Sequence, residues 1–182
     1  MIKKAVFVCG CIVSMVGAVF AQNPTIRIMP LGDSITYGAS TPGGYRYPLY
    51  VALTNAGYNV DFVGTQNNNA ATGLHDPDHQ GHGGWKISSA SNGLYENILG
   101  WFSAISDPHV VLLHIGTNDT GDGPTTFATA IDRWDLLIER IAKYHPSAHI
   151  IATTLMKRGT PQYTYITNSF NPYVPSRIAA HQ

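Results

Sequence analysis

Beyond position 11 the sequence has no cysteine; Cys9 and Cys11 are the two in the chain. A mature protein beginning at Gln22 would therefore carry no thiol, which excludes disulfides, thiol catalysis and cysteine-ligated zinc. Charge is equally sparse. Lysine plus arginine number 11, aspartate plus glutamate 11, and all four together make up 12% of the chain. A basic face for nucleic acid or an anionic membrane has little to draw on, so neither is expected as a partner. Long apolar runs are missing too, except for Ala5 to Phe20, which falls short of the ~20 residues a membrane span needs. With Lys3 and Lys4 before it and Ala18 and Ala21 near its end, that run reads as a secretory signal cleaved after Ala21. We expect residues 1–21 to be a signal peptide, residues 22–182 a single globular domain, and the product secreted or periplasmic.

What remains alternates between two hydrophobic periods. Short apolar runs at Ile26–Met29, Asn59–Val63, His109–Ile115 and His149–Thr154 predict strands. Helical spacing of apolar residues predicts helices over Tyr45–Ala56, Ser88–Ile105, Phe127–Tyr144 and about Tyr163–His181. Strands separated by helices of this length imply right-handed crossovers and a parallel sheet buried on both faces. The fold class is α/β. Between Gly64 and Gly84 lies a long polar loop rich in Gly, Asn and His, of a length that commonly carries function.

In such a sheet ligands sit at the carboxyl ends of the strands. Two polar turns fall there: "GDSIT" (Gly32–Thr36) after the first strand and "GTND" (Gly116–Asp119) after the third. A serine at a strand-to-helix turn exposes its oxygen, and nearby N–H groups point where an oxyanion would form. These turns resemble blocks one and three of the SGNH (GDSL-type) serine hydrolases. Between them "HQGHGGWKIS" (His79–Ser88) resembles the second block of the acetyl xylan esterase-like branch, that of carbohydrate esterase family 3. The terminal "SFNPYVPSRIAAHQ" resembles the helix after strand four of that branch.

The resemblance implies a three-layer α/β/α sandwich of flavodoxin-like topology. It implies Ser34 as nucleophile and an oxyanion hole made by the N–H of Ser34, the N–H of Gly84 (Gly83 if the register differs by one) and the amide of Asn118. Asp33, Tyr37 and Trp85 are expected to line the substrate groove, with the further tyrosines Tyr45 and Tyr47 beside it. No cofactor is implied. The implied partner is an acylated carbohydrate, with removal of acetyl or short acyl groups; a lipid or aryl ester is the alternative substrate.

One element of the pattern is not found. The family places its general base in an Asp-x-x-His block after a fifth strand, and a serine needs such a base. The sequence ends at Gln182 before either, so the catalytic His and Asp and the final strand are expected to belong to a longer parent. A non-catalytic carbohydrate-binding fragment is the other reading. Asp76-Pro77-Asp78-His79 spells the same pattern, yet it precedes block three and is read as a decoy. His114 is expected to be a buried, hydrogen-bonded core residue. The group His75, Asp76, Asp78, His79 and His82 has metal-ligand chemistry but is read as a polar loop, with no metal site expected.

Overall fold

A computed structural model describes residues 23–181; the expected signal peptide lies outside the described residues. The chain forms a parallel sheet of five strands: β1 (Ile26–Gly32), β2 (Val60–Phe62), β3 (Gln80–Gly81), β4 (Val110–His114) and β5 (His149–Ala152). Their order is β2-β1-β4-β5, with the short β3 also on β1. Helices α1 (Ser34–Tyr37), α2 (Arg46–Asn55), α3 (Leu94–Phe102), α4 (Pro124–Ala128), α5 (Ala130–Tyr144), α6 (Gln162–Ser169) and α7 (Val174–Ala180) complete the α/β arrangement.

Strand β1 is the axis of the sheet. On one side it pairs with β4, from Ile28 opposite Val110 to Gly32 opposite His114. On the other it pairs first with β2, up to Ile28 opposite Phe62, and then with β3, from Leu31 opposite Gln80. Pro30 falls where the neighbour changes. Proline lacks the N–H a central strand needs, and here the missing donor faces the gap between β2 and β3. Strand β1 therefore runs past the predicted end at Met29, as far as Gly32.

Side-chain alternation divides the strands between two layers. Met29, Leu31, Val111, Leu113 and Ile115 meet the apolar stripes of α3 (Leu94, Ile98, Phe102) and α5 (Ile131, Trp134, Leu137, Ile138, Ile141) in the main core. Ile28 and Phe62 face the other way, against Leu49, Tyr50 and Leu53 of α2. Helices on both faces make the three layers.

Helix boundaries differ from those predicted. Asn92–Gly93 delays α3 to Leu94, because its first turn is pinned by Lys86 and Ile87 carbonyls accepting from Leu94 and Tyr95 at 3.0 Å. The predicted 127–144 helix breaks at Thr129 into α4 and α5, and the last helix breaks at Phe170–Tyr173, where Phe170 turns into the core.

Candidate active site

Three strand ends converge at the carboxyl edge of the sheet. After β1, Asp33 caps α1: its Oδ1 accepts the Ile35 N–H at 2.9 Å, and Ser34 is the first helical residue. Gly32 must be glycine, since a Cβ there would sit 2.2 Å from the His114 carbonyl oxygen. Ser34 is half-buried and lines a groove of about 390 Å³ with Ile35, Ala39, Tyr45 and Met156.

After β3, the His82 N–H donates to the Gly32 carbonyl at 2.9 Å, and the Trp85 N–H donates back to the His82 carbonyl at 3.2 Å. The four residues His82–Trp85 thus form a β-turn whose third position, Gly84, has φ +80°, a conformation that suits glycine. Gly83 and Gly84 are exposed.

After β4, Asn118 opens a short 3-10 turn, and its Nδ2 donates to the Trp85 carbonyl at 2.7 Å. The next residue, Asp119, is fully buried and accepts the Ile87 N–H and the Arg133 guanidinium, each at 3.2 Å. Hydrogen bonds therefore run from the Ser34 turn through the Gly83–Gly84 turn to Asn118. Each expected member of the serine, glycine and asparagine set lies on this chain.

Asp33 departs from its expected place in the substrate groove. It is 0% exposed, so its carboxylate serves as a helix cap rather than a surface for substrate. Burial pushes that carboxyl above the usual range, opposed by the Ile35 N–H and the nearby His114 ring. His114 is buried as expected and burial lowers its pKa, but neither ring nitrogen has a hydrogen-bond partner among the described residues. Tyr37 is half-buried, edge-on to His79 at 6.0 Å, and Trp85 is half-buried with one face against His82.

His79 is not free to act as a base. Its Nδ1 accepts the Gly81 N–H at 3.0 Å, so the proton resides on Nε2, which donates to the Asn68 carbonyl at 3.1 Å. Burial, with the Arg46 charge adding, pushes its pKa down to about 4. Asp76 is likewise engaged, accepting main-chain N–H groups of Phe62 and Asp78. Among the described residues no cluster of His, Asp and Glu is arranged to hold a metal ion.

Sequence reading missed Arg46. It is fully buried, and its guanidinium donates to four main-chain carbonyls: Thr36 (3.0 Å) and Tyr37 (3.2 Å) at the end of α1, and Pro77 (2.7 Å) and Asn69 (3.2 Å) in the long loop. Asn69 reinforces this link, its Nδ2 donating to the carbonyls of Tyr37 (3.0 Å) and Gly38 (2.7 Å). The loop from 64 to 84 is therefore fastened to α1, the helix that begins with Ser34.

Residues 31–179 match the model of the GDSL-like lipase/acylhydrolase family. A multidomain esterase of Ruminococcus flavefaciens is 38% identical over 54% of this chain, which spans about 15% of that protein. Among solved structures, a family 3 carbohydrate esterase of Clostridium thermocellum is similar with TM-score 0.68 and 31% identity, covering 87% of this chain and 75% of its own. A mutant acetyl esterase with an acetate ion is similar with TM-score 0.68 and 25% identity, covering 86% of this chain and 74% of its own.

Proposed function

The chain belongs to the GDSL-like lipase/acylhydrolase family, and we propose that it carries the nucleophile and oxyanion hole of an exported esterase that removes acetyl or other short acyl groups from a polysaccharide. The observation that carries this reading is the hydrogen-bonded sequence from Gly32 through His82 and Trp85 to Asn118, which holds the three elements at one edge.

In the proposed reaction the Ser34 Oγ attacks the ester carbonyl carbon and its proton passes to a base. The carbonyl electron pair moves to oxygen, where charge is received by the N–H groups of Ser34 and Gly84 and by the second amide hydrogen of Asn118. An amide nitrogen has two such hydrogens, and only one is given to Trp85. Collapse expels the sugar hydroxyl, protonated in the process, and leaves acetyl on Ser34; water then repeats the sequence and releases acetate. The groove beside Ser34, lined mostly by small side chains with Ile35, Tyr45 and Met156 among them, suits a short acyl group. Among the described residues no histidine hydrogen-bonds Ser34, and His79 is committed on both nitrogens. Residues 1–21 act as the export signal, and the exported product begins at Gln22.

The test is hydrolysis of p-nitrophenyl acetate and acetate release from acetylated xylan, with Ser34→Ala as control and imidazole added as an external base. Turnover that depends on Ser34 and rises with imidazole is expected. A folded chain with no Ser34-dependent rate at any imidazole concentration overturns the reading. Ser34-dependent cleavage of aryl or lipid esters without acetate release from xylan overturns the polysaccharide assignment alone.

A further inference from the structure

The oxyanion turn is built on two glycines with open space where a side chain would stand. A Cβ placed on Gly83 or Gly84 would meet no atom within 4 Å. Glycine loses more conformational freedom on ordering than any other residue, so a rigid Gly-Gly turn must borrow its order from its neighbours. The neighbour is His82. Its imidazole belongs to a cluster of three mutually touching rings, 4.3 Å from Trp85 at an interplanar angle of 26° and 4.5 Å from Trp101 of α3 at 12°, with the two indoles 5.4 Å apart.

Rotation of the ring is fixed as well. Gln80 Oε1 accepts the Thr65 N–H at 2.8 Å, which orients the amide so that Nε2 donates to His82 Nε2 at 2.7 Å. His82 Nε2 is thus an acceptor and the ring proton lies on Nδ1. Burial pushes the imidazole down to about 4, consistent with a neutral ring. From the same residue the main chain holds Gly32 on one side and Trp85 on the other.

We propose that His82, packed against both Trp85 and Trp101 and oriented by Gln80, is a positioning residue that holds the Gly83–Gly84 turn and so sets the Gly84 oxyanion donor. The proposal rests on the ester-hydrolase reading for its catalytic meaning. A plain apolar side chain would fill the same space, whereas the planar ring stacks on both indoles and the Gln80 bond fixes its rotation. Removing the ring takes away the packing at the His82 end of the turn, while the Asn118 bond to the Trp85 carbonyl remains.

The test has two arms. In ¹⁵N-labelled chain, backbone order parameters of Gly83 and Gly84 are expected near the rigid value of about 0.85 and to fall below about 0.6 in His82→Ala. His82→Phe, which keeps the stack, should restore them, and spectra elsewhere should stay native. In the imidazole-supplemented assay, kcat should fall about 10- to 100-fold in His82→Ala, part of the loss from deleting a donor outright, with KM changed less than about twofold. Unchanged glycine order parameters in a folded His82→Ala or Trp101→Leu protein overturn the proposal. Failure of the ester-hydrolase reading is seen separately, as loss of Ser34-dependence in the parent chain, and leaves the order parameters to decide the role of His82.

Discussion

Asn118 donates one amide hydrogen to the Trp85 carbonyl at 2.7 Å, so the side chain proposed to receive oxyanion charge also fastens the turn bearing Gly84. Two of the three proposed donors are thereby coupled. Replacing Asn118 with alanine should cost more than one donor's contribution. We expect kcat in the imidazole-supplemented assay to fall at least about 10²-fold, and up to or beyond about 10³-fold. A fall of less than about tenfold would remove Asn118 from the oxyanion hole.

Asp33 offers a test between a cap and a substrate contact. Asp33→Ala should lower stability by about 1 kcal/mol, the usual worth of an N-cap. Asp33→Asn keeps an oxygen for the Ile35 N–H and removes a carboxyl whose burial already disfavours charge. It should retain stability and KM for acetylated xylan. A KM raised about tenfold in a stable Asp33→Asn protein would restore the substrate-contact reading.

Arg46 should be among the costliest positions in the chain. Arg46→Met leaves four main-chain carbonyls without their donor, and losses of about 3–5 kcal/mol are typical when a buried polar network is broken. Lysine should not rescue it, because a single ammonium cannot reach both Thr36 and Pro77 as the planar guanidinium does. Urea unfolding of the two variants decides this.

His79 makes stability depend on pH. Its imidazole ionises near about 6.5 in the unfolded chain and at about 4 in the folded one. Between those values the unfolded state binds the extra proton, so stability falls as pH drops through the window, by up to about 1.4 kcal/mol per pH unit for this group. Burial raises Asp33 and Asp119, which pull the opposite way toward the acid end. The informative quantity is the wild-type slope minus that of His79→Gln, measured by urea unfolding from about pH 7 to about pH 4.5. A zero difference would mean His79 is not held neutral.

The parallel α/β alternation and the turn bearing Ser34 were legible because each rests on local signals. Short apolar runs mark β1 and β4, and "GDSIT" and "GTND" follow them directly. β3 was not legible. Two residues, Gln80 and Gly81, carry no period, and their pairing with Leu31 and Gly32 is fixed by β1 from a distance. The stretch of β1 beyond Met29 was not legible either, since Pro30 is tolerated there only through a gap between two neighbours that the tertiary structure creates. Arg46 did leave a trace: it shares a helix face with Leu49, Tyr50 and Leu53 at helical spacing, an apolar stripe with one cation in it. The stacking of His82 on Trp101 left none, because the two rings meet only when α3 packs against the β3 turn.

The fastening of the long loop bears on engineering. A long polar connection invites trimming or grafting when a new substrate range is wanted, on the view that loops are replaceable ornament. Here Asn69 and Pro77 are joints of the frame that carries Ser34, with His79 tying the loop to itself, and excising them would shift the Ser34 hydroxyl along with the loop. Asn67, Ala70 and Thr72 are exposed and take no part in those side-chain ties. Libraries that vary these three positions and spare the joints can diversify the loop while the chassis beneath Ser34 stays in register.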